Sequence, residues 1–157
     1  MEGDGFDELF FGHAARLVRL AALLGDRDPE DVVQEAFCRV YAARDRLLRD
    51  ARKLVAYLNR VVVNEVRDRH RRRTTALRKA HLLVPAPAGS SEPGDRPAVL
   101  AALGRLPQRR REALVVRYWL DLPLDEIATA MDVRVGTVKS LISRGLDSLA
   151  VDLEVDR

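Results

Sequence analysis

The sequence predicts an all-α protein made of two small helical domains joined by a flexible linker rich in Pro, Gly and Ser. Aromatic residues make up only 5% of the 157 residues while hydrophobic residues make up 47%, so the cores must be built from Leu, Val and Ala, a mixture that favours helices over sheets. Apolar residues recur at three- and four-residue spacing along most of the chain, the period of an amphipathic helix. One stretch, Thr74 to Pro97, breaks that period with Pro85, Pro87, Gly89, Ser90, Ser91, Pro93, Gly94 and Pro97, which is turn and linker chemistry. The expected division is a first domain over 1–74, a linker over 75–97 and a second domain over 98–157.

The first helix is expected over Phe6 to Leu24, with Phe10, Leu17, Leu20, Ala21 and Leu24 on one side and Gly25-Asp26-Arg27 closing it. The second helix has a clean start. Asp28 is a good N-cap, Pro29 fits the first helical position, and Glu30 and Asp31 suit the positive end of the helix dipole. Val33, Ala36, Phe37 and Val40 then form an apolar stripe beside polar Asp31, Gln34, Glu35 and Arg39. A third helix, about Arg52 to Arg73, buries Leu54, Leu58, Val61, Val62 and Val66 and exposes Asn59, Arg60, Asn64, Arg67, Asp68 and Arg71. Between them Arg46 to Ala51 forms a short connection that mixes apolar and basic residues. After the linker, helical pattern resumes over Ala98 to Leu106, and Pro107 starts a further helix carrying Leu114, Val115 and Tyr118.

The last part, LDEIATAMDVRVGTVKSLISRGLDSL over Leu124 to Leu149, holds two short helical patterns broken by a tight turn. Leu124, Ile127, Ala128 and Met131 line one buried face, with Ala128 small enough for a steep helix crossing. Asp132 stands where the backbone goes left-handed, a conformation Asp tolerates better than most residues. The next helix is expected to turn Val138, Ile142 and Leu146 inward and to leave Gly136, Thr137, Lys139, Ser140, Ser143 and Arg144 on the outer face. Short hydroxyls and Gly let a backbone approach a DNA groove, while Lys139 and Arg144 can reach phosphates or guanine edges. A helical hairpin with a solvated polar face is the competing expectation.

Charge is segregated along the chain far more than the net +3 suggests. Residues 1–35 carry nine acids and three bases, 36–81 four acids and fourteen bases, 82–123 four and six, and 124–157 seven and four. Basicity therefore peaks in the third helix, where Arg67-Asp68-Arg69-His70-Arg71-Arg72-Arg73 is the densest run. Arg outnumbers Lys by 24 to 3, which suits bidentate phosphate contact, and the basic run favours nucleic acid over a merely solvated helix end. The acidic surroundings of the helix-turn-helix predict weak DNA binding by that module alone.

Other function classes find little support. Cys38 is the only cysteine, so no internal disulfide is expected, and its place beside Phe37 suggests buried packing. The start of the sequence lacks a signal-peptide pattern and no apolar run reaches membrane-spanning length, which together predict a cytoplasmic setting. His13, His70 and His81 have no metal-ligand spacing, no Gly-rich loop cradles a phosphate, and no nucleophile stands near a convincing base. Neither a cofactor nor enzymatic activity is expected.

The order of DVVQEAF, an Arg-rich third helix, a Pro-rich linker, LPQRRREALVVRYWLDLPLDEIA and VGTVKSLISRGL resembles a sigma factor of the extracytoplasmic-function (ECF) group of the sigma-70 family. The resemblance covers nearly the whole chain and implies a sigma-two helical bundle and a sigma-four helix-turn-helix. It implies a bacterial transcription-initiation subunit that binds core RNA polymerase through its clamp coiled coil and its flap, and that recognises promoter DNA. Asp31, Gln34, Glu35 and Phe37 match the polymerase-binding segment. Leu48, Arg49 and Arg52 match the connection that receives a base flipped from the minus-ten element, an event costing a few kcal/mol of unstacking. Tyr57, Asn64, Arg67, Asp68 and Arg71 match the helix that tracks that element. Arg117, Arg134, Thr137, Lys139, Ser140, Ser143 and Arg144 are expected at the minus-thirty-five element, with Arg109, Arg110 and Arg111 adding a positive field on the preceding helix. An anti-sigma protein is a further partner the resemblance allows.

Three positions depart from the family pattern. Pro123 replaces a helix-capping Ser, Asp132 the common Gly, and Leu141 the common Arg. If that Arg touches a phosphate, its loss predicts a drop of about one unit in the logarithmic salt slope. A free-standing helix-turn-helix regulator acting without polymerase is the alternative, and it would need a dimer interface and a sensor domain.

Overall fold

The structure, a computed structural model, describes residues 2–47, 51–80 and 96–155. Among them are eight helices and no strand. The chain divides into two compact units, Met1–His81 and Leu82–Arg157.

The first unit contains α1 (Glu2–Leu23), α2 (Pro29–Ala42), α3 (Arg44–Leu47) and α4 (Ala51–Ala80). Leu17, Leu20, Ala21 and Leu24 meet Val32, Val33, Ala36, Phe37 and Val40 of α2, and α4 closes the core with Leu54, Leu58, Val61, Val62, Val63 and Val66. The start of α2 follows its local chemistry. The Asp28 side chain accepts a hydrogen bond from the Asp31 N–H at 3.3 Å, Pro29 fills the first turn, and Glu30 and Asp31 face the positive helix end. Asp26 in turn accepts from the Asp28 N–H at 2.8 Å, so two acids on either side of Arg27 organise the entry to α2.

Two expectations change here. Helix α4 runs through Ala80, seven residues beyond the Arg73 end that the sequence suggests and into the stretch assigned to the linker. Nothing in Thr74 to Lys79 breaks a helix: the Thr74 hydroxyl donates to the His70 carbonyl at 2.9 Å, and Arg78 and Lys79 suit the negative helix end. Residues 81–95 of that stretch lie outside the described residues, and its last two, Arg96 and Pro97, already belong to the next helix. Cys38 is exposed rather than packed in the core. Phe37 takes the inward position, and the next side chain points about 100° away around the helix.

The second unit contains α5 (Arg96–Arg105), α6 (Gln108–Tyr118), α7 (Leu124–Met131) and α8 (Val135–Val155). Helix α8 packs against the other three, around a core of Ala102, Leu103, Leu106, Ala113, Leu114, Val115, Val116, Leu120, Ile127, Ala128, Met131 and Val138. Asp132 adopts the left-handed conformation expected of it, with φ 56° and ψ 49°. The chain reverses there, the Val133 N–H donating to the Ala128 carbonyl at 3.0 Å and the Asp132 N–H to Thr129 at 3.3 Å. Pro123 precedes α7 without any side-chain cap, as the replacement of Ser by Pro requires.

The inward face of α8 differs from the expected Val138, Ile142, Leu146 series. Leu146 is 41% exposed, and Gly145 is buried in its place. A Cβ on Gly145 would stand 2.9 Å from Leu114 Cδ1, so the missing side chain lets α8 approach α6 closely. A spacing of four drifts around a helix of 3.6 residues per turn, and the step from Ile142 to Gly145 corrects that drift.

Candidate nucleic-acid interface

In the second unit, the outer face of α8 carries Gly136, Lys139, Ser140, Ser143 and Arg144, all exposed, within an arc of about 140°. Thr137 and Arg134 are exposed at its edges. Gly136 has open space where a Cβ would stand, so no packing among the described residues requires a glycine there. Leu141 is half-buried at the border of the packed side. Small polar side chains flanked by two cations form a surface that can enter a groove, donate to base edges and approach phosphates.

The arginines of α6 are half-buried and are largely committed within the unit. Arg109 Nη2 donates to the Met131 carbonyl at 3.3 Å, fastening the end of α7, while Nη1 lies 3.7 Å from Glu112 Oε1. Arg110 Nη1 reaches Ser148 Oγ on α8 at 3.5 Å. Burial lowers the Arg111 pKa from its ordinary value. Arg117 Nη1 donates to the Leu122 carbonyl at 2.8 Å, holding the segment before α7. Arg109, Arg110 and Arg117 therefore brace the helix-turn-helix from within the unit. Glu112, 1% exposed, was not legible as part of this arrangement. Arg105 and Asp152, 3.4 Å apart, similarly tie α5 to the acidic end of α8.

In the first unit, α4 presents two different sides. Asn64, Arg67, Asp68 and Arg71 share one outer face, Asp68 and Arg71 exposed and the other two partly so. Arg60 is exposed and Tyr57 half-exposed on the same side. About 120° away, Glu65 is 4% exposed beneath a charged cluster. Arg39 Nη2 lies 3.0 Å from Glu65 Oε2, and Arg69 Nε donates to Glu65 Oε1 at 3.1 Å. The same guanidinium donates from Nη2 to Asp31 Oδ2 at 2.6 Å and stands 3.8 Å from Asp26. Desolvation opposes the Arg69 charge, but its bonds to Asp31 and Glu65 and the nearby Asp26 outweigh it, so its pKa rises. Arg69 belongs to the basic run yet clasps α4 to α2. No local pattern marks Glu65 or Arg69 for this role, because their partners are distant in sequence.

Among the polymerase-binding candidates, Asp31, Gln34 and Glu35 are exposed on α2. Phe37 is instead 4% exposed, its ring centroid 4.3 Å from that of Phe10. It supports the α2 surface from within, because an aromatic on the inward stripe gains more from core packing than from solvent. Leu48 and Arg49 lie outside the described residues, as does the Arg52 side chain. Among the described residues no cluster of His, Cys, Asp or Glu is arranged to hold a metal ion, and no helix is long and apolar enough to cross a membrane.

Comparison with known proteins gives the same two-part picture. Residues 9–75 match the Sigma-70 region 2 family and residues 96–149 match Sigma-70, region 4. The RNA polymerase sigma-E factor of Streptomyces avermitilis is 32% identical over 129 residues, covering 81% of this chain and 72% of that one. The ECF RNA polymerase sigma factor SigM of Mycobacterium tuberculosis is 32% identical over 153 residues, covering 92% and 75%. Among solved structures, CnrH in complex with the cytosolic domain of CnrY is 27% identical with a TM-score of 0.67, covering 97% of this chain and 89% of that one. The sigma factor RpoE of Bartonella quintana, in complex with the anti-sigma factor NepR, shares the fold at a TM-score of 0.76 and 24% identity, covering 98% and 99%. With both regions present in order and identities above 30% across most of its relatives' length, the chain belongs to the ECF group of RNA polymerase sigma factors in the sigma-70 family.

Proposed function

We propose that this chain binds core RNA polymerase in the bacterial cytoplasm, directs it to promoters with minus-ten and minus-thirty-five elements, and assists opening of the duplex at the first of them. The observation that carries this reading is the division of labour on α4, where a buried charged side holds the bundle and a second side, about 120° away, leaves Asn64, Arg67, Asp68 and Arg71 facing outward. Arg67 and Arg71 supply phosphate contacts, and Asn64 and Asp68 orient them or read a base edge. Asp31, Gln34 and Glu35 form the polymerase-facing part of α2, with Asp31 held in place by Arg69. Lys139 and Ser140 read bases at the minus-thirty-five element, while Thr137, Ser143, Arg144 and Arg134 contact its flanks.

The second unit depends on tethering. Seven acids against four bases in residues 124–157 leave little attraction for phosphate, whereas attachment to polymerase raises its effective concentration at the element. The solved complex of RpoE with NepR supports extending the proposal to control by an anti-sigma protein.

Run-off transcription with core polymerase on a genomic library, followed by sequencing of start sites, tests the function and yields both promoter elements. The expected result is a shared pair of elements upstream of the starts, with promoter binding by fluorescence anisotropy appearing only when core polymerase is added. Tight specific binding by the chain alone, or transcription insensitive to Gln34→Ala and Glu35→Ala together, would overturn the reading.

A further inference from the structure

Helix α4 continues past the residues that match the region 2 family, which end at 75, and its outer face continues with it. At about 100° per residue, Thr75, Arg78 and Lys79 fall in the same sector as Asn64, Arg67, Asp68 and Arg71. Thr75, Arg78 and Lys79 are exposed, and no acid occurs anywhere in residues 69–80. Arg71, Arg72, Thr75, Ala76 and Lys79 line a shallow cleft of about 360 Å³ on this part of the helix. Of the neighbouring arginines, Arg69 turns to Glu65 at 3.1 Å on the packed side, whereas Arg72, its side chain 70% exposed, lines the cleft with one nitrogen 4.0 Å from Glu65. The cations of the last two turns therefore extend the outward-facing sector of the helix.

We infer that Thr75, Arg78 and Lys79 form an additional binding site for the phosphate backbone of duplex DNA, continuous with the face proposed to track the minus-ten element and adjoining its double-stranded side. Lys79 lies eight residues beyond Arg71, or about 12 Å along the helix axis. That length corresponds to about three to four base pairs of duplex rise. The face there offers a hydroxyl and two cations and no shape for reading base edges, so it adds affinity and register without sequence preference. This inference rests on the proposed minus-ten role of α4.

The test uses the full chain assembled with core polymerase, comparing wild type with the Arg78→Gln, Lys79→Gln double variant. Promoter fragments are bound over a range of salt concentrations. One fragment extends well upstream of the minus-ten element, and another ends its duplex at that element's upstream edge. On the long fragment, removing two phosphate contacts should reduce the logarithmic salt slope by about two units, so wild type loses about tenfold more affinity than the variant between 50 and 200 mM salt. The difference should persist when the minus-ten sequence is changed and vanish on the short fragment. Equal slopes on the long fragment overturn the inference, as does a difference that survives on the short one. Equal slopes with promoter-dependent binding intact leave the sigma-factor reading standing, whereas wild-type holoenzyme that shows no promoter preference overturns both. Circular dichroism of the variant should match wild type, because both substitutions lie on the exposed surface.

Discussion

Helices α4 and α8 both carry the outward polar faces proposed to meet DNA, yet they are built on opposite principles. Helix α4 holds ten bases against two acids, and part of that charge faces inward, where Arg69 and Arg39 neutralise buried Glu65. Helix α8 holds two bases against three acids and meets its neighbour through a missing side chain, Gly145 against Leu114. The first helix uses ionic chemistry to hold its bundle and leaves further cations on its outer side. The second uses close packing to hold a small polar surface at a fixed angle, and attracts little by itself. On the proposed function, the difference teaches how the two units would share the work: most of the long-range attraction for DNA would come from the first unit, and the second would add short-range contacts once tethered.

Breaking the ionic clasp should have the largest effect on stability. Arg69→Ala leaves Glu65 with a weaker partner set and releases Asp31, at an expected cost of about 2–3 kcal/mol to the first unit. Urea denaturation followed by hydrogen exchange should locate the loss in α2 and α4, and protection there equal to wild type would show that the clasp contributes nothing. The matching lesion in the second unit is Gly145→Val, which forces side-chain atoms into Leu114 and should cost about 2 kcal/mol. Thermal unfolding that leaves the second unit unchanged would mean that α6 and α8 can separate without penalty.

Smaller effects should appear only with DNA present. Lys139→Ala is expected to weaken discrimination among minus-thirty-five sequences by about 1 kcal/mol, about fivefold in competition binding by holoenzyme, without altering the unfolding midpoint. Uniform weakening on all sequences would instead assign Lys139 to phosphate. Leu141→Arg should give α8 a contact of the kind α4 already has, since a long stem can lie along the packed border while its head reaches solvent. The expected change is an increase of about one unit in the salt slope of the holoenzyme, and an unchanged slope would show that this position faces no phosphate.

Local chemistry made the beginnings and turns of these helices legible. Asp28 followed by Pro29 announces the start of α2, and Asp132 announces the left-handed turn, because each depends on groups within a few residues. The clasp was illegible for the opposite reason. Arg69 meets Asp31 across 38 residues of sequence, and as one member of an Arg-rich run it looks no different from neighbours that face solvent. Leu146 misled because hydrophobicity alone does not distinguish an inward side chain from one a few tens of degrees off the packed arc. Phe37 shows the same limit from the other side. Its match to the family's polymerase-binding segment is visible in sequence, but its burial against Phe10 emerges only when α1 and α2 come together.

Gly136 places folding and binding in direct competition. Among the described residues nothing occupies the space where its side chain would be, and Ala is the better helix former, by up to about 1 kcal/mol in a helix interior and less in the first turn. A screen that rewards thermal stability or soluble yield would therefore favour Gly136→Ala. If a groove wall fills that space when the helix docks, the same methyl group obstructs it, and the sturdier protein is the poorer reader. Under the proposed function, selection on folding alone and selection on DNA binding would therefore pull this position in opposite directions.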